Sequence, residues 1–304
     1  MTPCLLTCLF ALALTFGCAS ETAPTVEETA FPAEPTDWTP LLDESLSPWR
    51  MYLGYKLPPD YTGAAPVDEH GAVIPPAGYD NNVNDVYTVR VEAGEPILRI
   101  SGEYYGSLFT KEAFENYHFS LLVKWGEKKW DPRINLLKDS GILYHSIGEH
   151  GIDYWRAWML SQEYQVMEGH MGDYWSVGHT GVDVRAFIPE KVMSAVASPT
   201  QPFIPVSKAT SAAGFCLRSA DFESPPGEWT RLELIAFEDK SLHIVNGEVV
   251  MVLRNSRYTD ADGVVHPLTR GQLQLQSEAA EVFYKDIKIR HLDALPAEYA
   301  ALFR

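Results

Sequence analysis

The sequence predicts an all-β fold: a β-sandwich of two antiparallel sheets with long loop insertions. Three observations carry this prediction. Tyr117, Phe119, Leu121, Val123 and Trp125 recur at every second position, with His118, Ser120 and Lys124 between them. That is the pattern of a strand with one core-facing side. Asn246-Gly247 separates two apolar runs, Leu242-His243-Ile244-Val245 and Glu248-Val249-Val250-Met251. Asn-Gly readily adopts the two positive φ angles of a type I′ hairpin turn. Helical periodicity is scarce, with one turn over residues 189–194 as the candidate. Many short strands separated by turn signals point to a sandwich or jelly roll. A length of 304 residues suits one large all-β domain.

The elements follow in chain order. Residues 5–16 are an apolar run, too short to span a bilayer, which needs roughly 20 apolar residues. The run ends at Leu14-Thr15-Phe16-Gly17-Cys18, which resembles a bacterial lipobox. Residues 1–18 are therefore expected to be a lipoprotein signal, with Cys18 the residue that takes the lipid. Thr15 and Phe16 depart from the usual aliphatic-then-small pattern, and an ordinary cleaved signal is the alternative. Residues 19–37, rich in Thr, Glu, Pro and Ala, read as a solvated tether. The folded domain is expected over 38–293, with 294–304 as a C-terminal tail. Export to the periplasm or cell surface follows, with the lipid as the sole membrane contact.

Within the domain, residues 57–85 are dense in Pro, Gly, Asn and Asp and read as a long surface insertion; residues 194–213 read as a second. Strands are expected over 231–237, 241–245, 272–276 and 281–290, besides 117–125. Cys4, Cys8 and Cys18 lie in the leader and Cys216 alone in the body, so no internal disulfide is expected. Cys216 sits between apolar neighbours and reads as core filler.

The chain carries 41 Asp and Glu against 24 Lys and Arg, a formal charge of −17. An acidic surface repels phosphate backbones, which argues against nucleic acid as a partner. It also disfavours polyanionic sugars. Neutral glycans fit better, and an aromatic content of 12% supplies faces on which sugar rings stack.

The chemistry concentrates between Asp139 and Trp175. In the run Gln162-Glu163-Tyr164-Gln165-Val166-Met167, Glu163 and Gln165 share one face of a strand and Tyr164 and Val166 the other. On a curved sandwich, such a polar face can line a glycan groove. Glu168 falls on the opposite face in a regular strand, and one β-bulge brings it back. Glu163 with Glu168 then approximates the Glu-x-Asp-x-x-Glu signature of laminarinase-like retaining glycosidases, with Gln165 in place of the Asp. Retention needs the two carboxyls about 5–5.5 Å apart. The bland alternative is a solvated strand end.

His145, on the preceding strand, is expected to face the same groove. Trp158 and Trp175 flank the acidic segment and are candidate sugar platforms; Trp125 follows the core alternation, and Trp130 and Trp155 are further aromatics. His170 and Asp173 lie in a glycine-flanked loop and, with Glu168, are candidates to hold a divalent cation, although the spacing matches no defined metal motif.

Several segments taken together carry a more specific likeness. They are Trp125-Gly126-Glu127-Lys128-Lys129-Trp130, Asp139-Ser140-Gly141-Ile142-Leu143-Tyr144-His145, Glu163-Tyr164-Gln165, and Glu168-Gly169-His170-Met171-Gly172-Asp173-Tyr174-Trp175. Gly227-Glu228-Trp229 with Val245-Asn246-Gly247, and Leu275-Gln276-Ser277-Glu278-Ala279-Ala280-Glu281-Val282-Phe283-Tyr284, complete the set. In this order they resemble the 3-keto-disaccharide hydrolase family from about Trp38 to Leu292. The resemblance implies a concanavalin-like jelly roll and a hydrolase or lyase acting on 3-keto-glycosides. Many members carry Asn at the position of Asp139 and Arg near that of His145, so the fold transfers more directly than the catalytic roles.

The implied reaction makes chemical sense. A ketone at C3 acidifies the C2 proton, a base removes it, and the C1 aglycone leaves with help from an acid. Water then adds back. Glu163, Glu168 and His145 are the candidate catalytic groups, and Gln165, His170, Asp173, Trp158, Trp175 and Gln276 the candidate substrate contacts. The substrate partner is an oligosaccharide or glycoside, and a separate sugar 3-dehydrogenase is the implied supplier. A non-catalytic carbohydrate binder and a retaining glucanase using Glu163 and Glu168 are the rival readings.

Overall fold

The computed structural model describes residues 37–61, 63–152, 157–192 and 194–304. The leader with Cys4, Cys8 and Cys18, the tether up to residue 36, and Trp155 lie outside the described residues.

The described residues form twenty strands in chain order. They begin with β1 (Thr39–Pro40), β2 (Trp49–Leu53), β3 (Gly78–Tyr79), β4 (Tyr87–Glu92), β5 (Glu95–Ile100), β6 (Gly106–Thr110) and β7 (Tyr117–Lys129). The central set is β8 (Asp139–Ile147), β9 (Leu160–Met167), β10 (Tyr174–Val177), β11 (Thr180–Phe187), β12 (Ala195–Ala197), β13 (Phe203–Ser207) and β14 (Phe215–Leu217). The chain continues through β15 (Thr230–Phe237), β16 (Lys240–Val245), β17 (Glu248–Thr259), β18 (Val265–Pro267), β19 (Gln272–Ser277) and β20 (Ala280–His291).

One sheet runs β4-β5-β20-β7-β15-β16-β17-β11-β13, all antiparallel. The other runs β3-β2-β6-β19-β8-β9-β10-β14-β12, antiparallel except for the last pair. They are joined where β12 also pairs with the end of β11. The two faces meet in one core. Ile142, Tyr144, Tyr164 and Val166 of the second sheet pack with Phe119, Leu121, Val123, Leu232 and Leu234 of the first. Each such buried side chain contributes about 1.5–3 kcal/mol. Polar bonds also tie the sheets together: Ser140 Oγ lies 2.8 Å from the Tyr284 hydroxyl, and the Tyr164 hydroxyl donates to the Ile244 carbonyl at 2.7 Å. Paired in this way, buried hydroxyls avoid the penalty of an unmet polar group.

The fold is the β-sandwich that the alternating runs predict. Asn246 and Gly247 have φ of 48° and 85°, both positive, as the type I′ reading requires. Residues 57–85 are mostly loop, carrying β3 and a short 3₁₀ turn at Val83–Asp85. At three places the structure adds detail to the expectation. Residues 194–213 hold two strands, β12 and β13, because alternating apolar residues there pair with β11. Over 189–194 the expected turn is present, closed by the Val192 N–H on the Pro189 carbonyl at 3.4 Å, without continuing into a helix among the described residues. In the C-terminal tail, the 3₁₀ helix Ala297–Phe303 packs Tyr299, Leu302 and Phe303 on Ile235, Leu242, Ile244 and Val252.

Candidate active site

Strand parity places the polar residues. On β8 and β9 the inward positions are Ser140, Ile142, Tyr144, Tyr164 and Val166, so Asp139, Gly141, Glu163 and Gln165 face away from the core. Gln165 lies across from Gly141, and Glu163 from Leu143. On the other side of β8, Leu275 pairs with Ile142, which sets Gln276 beside Gly141. Space, not backbone angle, gives glycine its role at position 141. A Cβ there would sit 2.5 Å from Gln276 Oε1 and 2.6 Å from Glu163 Oε1. The glycine thus allows a carboxylate and an amide from neighbouring strands to close over it.

These groups open into a cleft of about 370 Å³ on the outer face of the second sheet. Trp158 forms one wall, buried among Tyr55, Tyr105 and Leu143. Trp175 forms another; it is 37% exposed and stacks on Phe215 at 4.5 Å with the planes 11° apart. A rigid, partly exposed ring of this kind suits a sugar face. Lys208 adds a cation to the wall.

At one end stands a charged cluster that sequence reasoning did not single out. Arg133 Nη2 contacts Asp139 Oδ2 and lies 3.1 Å from Glu278 Oε1. An isolated bridge between Asp139 and Glu278 aligns their backbones. Both carboxyls line the cleft, at 3% and 8% exposure. Burial pushes Asp139 well above the usual carboxylate range, and Glu278 adds to this while Arg133 opposes it. Burial likewise raises Glu278, with Arg133 again opposing. Asp139 Oδ1, Gln165 Oε1 and Gln276 Oε1 are buried without a hydrogen-bond partner. Such orphans are uncommon in proteins, and all three belong to residues that line the cleft.

The other expected site residues are elsewhere. β9 pairs without a break from Gln162 to Met167, so it lacks the bulge that would return Glu168 to the face of Glu163. Glu168 lines a different cleft, and its carboxylate lies 3.4 Å from Lys138 Nζ. The bulge falls instead on β8, between Tyr144 and Ile147, where His145 has φ of 53°. It turns the imidazole inward, 5.9 Å from the Tyr117 ring and 5.1 Å from that of Tyr144. His145 is thus in the inter-sheet core and does not share the groove with Glu163.

Asp173 accepts from the Arg218 backbone at 2.7 Å and from His170 Nδ1 at 3.0 Å, fastening the 168–173 loop. Neither His170 nor Asp173 lines the cleft. Among the described residues, no three His, Cys, Asp or Glu side chains are gathered to hold a metal ion. Cys216 is buried beside Tyr174 and Val182, and burial drives its thiol upward, as befits core filler.

Comparison with solved structures gives distant likenesses. A candidate glycosyl hydrolase from Parabacteroides distasonis is 17% identical over 84% of this chain and 94% of its own, with a TM-score of 0.45. Alginate lyase AlyC3 bound to dimannuronate is 9% identical over 82% and 91%, with a TM-score of 0.41. The Bacillus subtilis carbohydrate-binding module CBM66 is 10% identical over 67% and 91%, with a TM-score of 0.34. These likenesses are distant. No curated protein matches the chain. The family model of the 3-keto-alpha-glucoside-1,2-lyase-like domain matches residues 37–290, nearly all of the described sandwich, and the chain belongs to that family.

Proposed function

We propose that this carbohydrate-related domain is an enzyme that cleaves 3-keto-glycosides by elimination and hydration, with Glu163 as the base. The observation that carries the proposal is the placement of Glu163 over Gly141, beside Gln276 and in the same cleft as the Arg133-bound carboxyls. Elimination needs a base near C2, an acid near the leaving oxygen and a polar group for the C3 oxygen. One sheet face supplies all three kinds of group. Glu163 takes the C2 proton. The C–H electron pair passes to the C3 carbonyl as an enolate, whose negative charge the Lys208 ammonium offsets. The enolate collapses, C1=C2 forms, and the C1–O bond breaks. Water then adds at C1, and the proton held by Glu163 returns to C2. Trp175 and Trp158 bound the sugar ring.

The supply of a 3-keto-sugar requires a separate dehydrogenase that oxidises the C3 alcohol. The retaining-glucanase alternative fares worse, because Glu163 and Glu168 line different clefts and do not flank a common site.

The test is direct. The domain is incubated with 3-keto-trehalose or 3-keto-lactose beside the unoxidised sugars, and monosaccharide release is followed. Release from the keto-sugars alone is expected. Glu163→Gln should lower turnover by a factor on the order of 10²–10⁴, the usual share of a general base, while keto-sugar binding weakens far less. Equal cleavage of the unoxidised sugars, or full activity in the Glu163→Gln protein, would refute the proposal.

A further inference from the structure

We propose that Asp139 and Glu278 share a single proton across Arg133, and that this pair is the acid that protonates the departing aglycone oxygen. The inference rests on the reading of the cleft as an elimination site. Its basis is a charge count in a confined space. One guanidinium touches two carboxyls that an isolated backbone bridge holds face to face. It can balance one negative charge. The second carboxyl is almost out of water, and an uncompensated buried carboxylate is costly enough that the group takes up a proton instead. Two carboxyls crowded at one site behave likewise: the first ionises and the second resists.

The directions of both acidities agree with this geometry, since burial raises each group and Arg133 offsets it in part. Asp139 Oδ1 has no partner within the protein, so the pair retains bonding capacity for a ligand. Glu163 lies on the far side of Gly141, on β9, whereas Asp139 and Glu278 lie at the start of β8 and just after β19. Base and acid therefore come from different strands.

The proton accounting closes. As C1–O breaks, the aglycone oxygen takes the bonding electron pair and the proton of the Asp139–Glu278 pair, leaving both carboxyls ionised. When water attacks C1, its proton passes to the pair and restores the starting state. Arg133 holds the pair in place and is a positioning residue.

Replacing either carboxyl has a counterintuitive consequence. In Glu278→Gln or Asp139→Asn, the remaining carboxyl is matched one-to-one with Arg133 and ionises, so each single change removes the proton. The shared proton is thus a feature of this chain, and relatives with Asn at the position of Asp139 draw their acid from another group. Both variants should lose about 10²–10⁴-fold in turnover of a 3-keto-disaccharide, whose sugar aglycone leaves poorly. On a 4-nitrophenyl 3-keto-glucoside, whose aglycone leaves without protonation, the loss should stay within about tenfold. The alkaline fall in wild-type kcat/KM should appear with the disaccharide and flatten with the nitrophenyl substrate. Equal losses on both substrates, or none on either, would overturn the proposal.

A second measurement needs no substrate. Infrared spectra at neutral pH should show a protonated-carboxyl C=O stretch in the wild type that is absent from both variants. Its absence from the wild type, or its survival in both variants, overturns the shared proton. A shared proton in a protein that leaves every 3-keto-glycoside intact would instead refute the proposed function.

Discussion

Gly141 controls the site by having no side chain. The two oxygens that would collide with a Cβ are the ends of Glu163 and Gln276, both flexible side chains. Its φ is not positive, so alanine meets no backbone penalty. Gly141→Ala should therefore fold normally, with thermal unfolding within a few degrees of wild type, while pushing the carboxylate and amide apart. Displacing a reacting group by about 1 Å can cost on the order of 10²-fold. A loss of tenfold or more in kcat without a matching loss of stability is expected. Unchanged kcat would mean that the two side chains need not meet over the glycine. At this scale the sequence was only partly legible. Glu163 and Gln165 stood out because polar residues interrupt a buried strand at period two. Arg133 did not, since it comes from an irregular segment without periodicity. Asp139 and Glu278 lay inside recognisable motifs, but what distinguishes them is a shared guanidinium, and sequence spacing does not reveal that.

Strands were more legible than bulges. The runs read at 117–125, 231–237, 241–245, 272–276 and 281–290 lie within β7, β15, β16, β19 and β20, because one buried face imposes period two on the residues. A bulge leaves a weaker trace. Its displacement from β9 to β8 removes both Glu168 and His145 from the cleft. The bulge also creates a pH liability. Burial depresses the His145 pKa to about 4, and the nearby Leu268 backbone, which favours the charged ring, offsets little of this. Neither ring nitrogen has a hydrogen-bond partner by distance and angle. The unfolded histidine binds a proton near its ordinary pKa of about 6.5. Between pH 6.5 and 4 the unfolded chain therefore holds a proton that the fold excludes. The stability is present in full above this window and is lost as pH falls through it, at up to about 1.4 kcal/mol per pH unit. His243, depressed to about 3 by burial, acts in the same direction. His145→Phe keeps a ring in the core and removes the titration. Denaturant unfolding at pH 7 and pH 5 should show the wild type losing about 2 kcal/mol more than the variant. Any constant packing or backbone cost of the substitution cancels in that difference. Identical pH dependence would mean that His145 does not resist protonation.

Across the molecule, acidic charge acts at two ranges, and the two can be separated. The chain's formal charge of −17 creates a negative field over the surface. In the cleft the Asp139–Glu278 pair, holding its one proton, balances Arg133, and Glu163 and Lys208 are the remaining charges. A neutral sugar feels neither strongly. A uronide, carrying a carboxylate on the ring, feels the long-range field as it approaches and the Glu163 carboxylate once inside. Salt screens the first: at about 0.15 M the Debye length is about 8 Å, shorter than the approach distance. The second operates within the cleft and is screened much less. A 3-keto-glucoside and the corresponding 3-keto-glucuronide differ at C6, remote from the bonds that change. Their kcat/KM values should differ by tenfold or more in favour of the neutral sugar at low ionic strength. Raising the salt should narrow the gap through the glucuronide alone and leave a residue that salt does not remove. The measurement is kcat/KM for both substrates from about 0.01 to 0.5 M salt. A preference for the glucuronide would require a cation in the cleft to dominate its carboxylates, with Lys208 the group to examine. A gap that vanished fully with salt would place the discrimination on the surface and leave the cleft indifferent to charge.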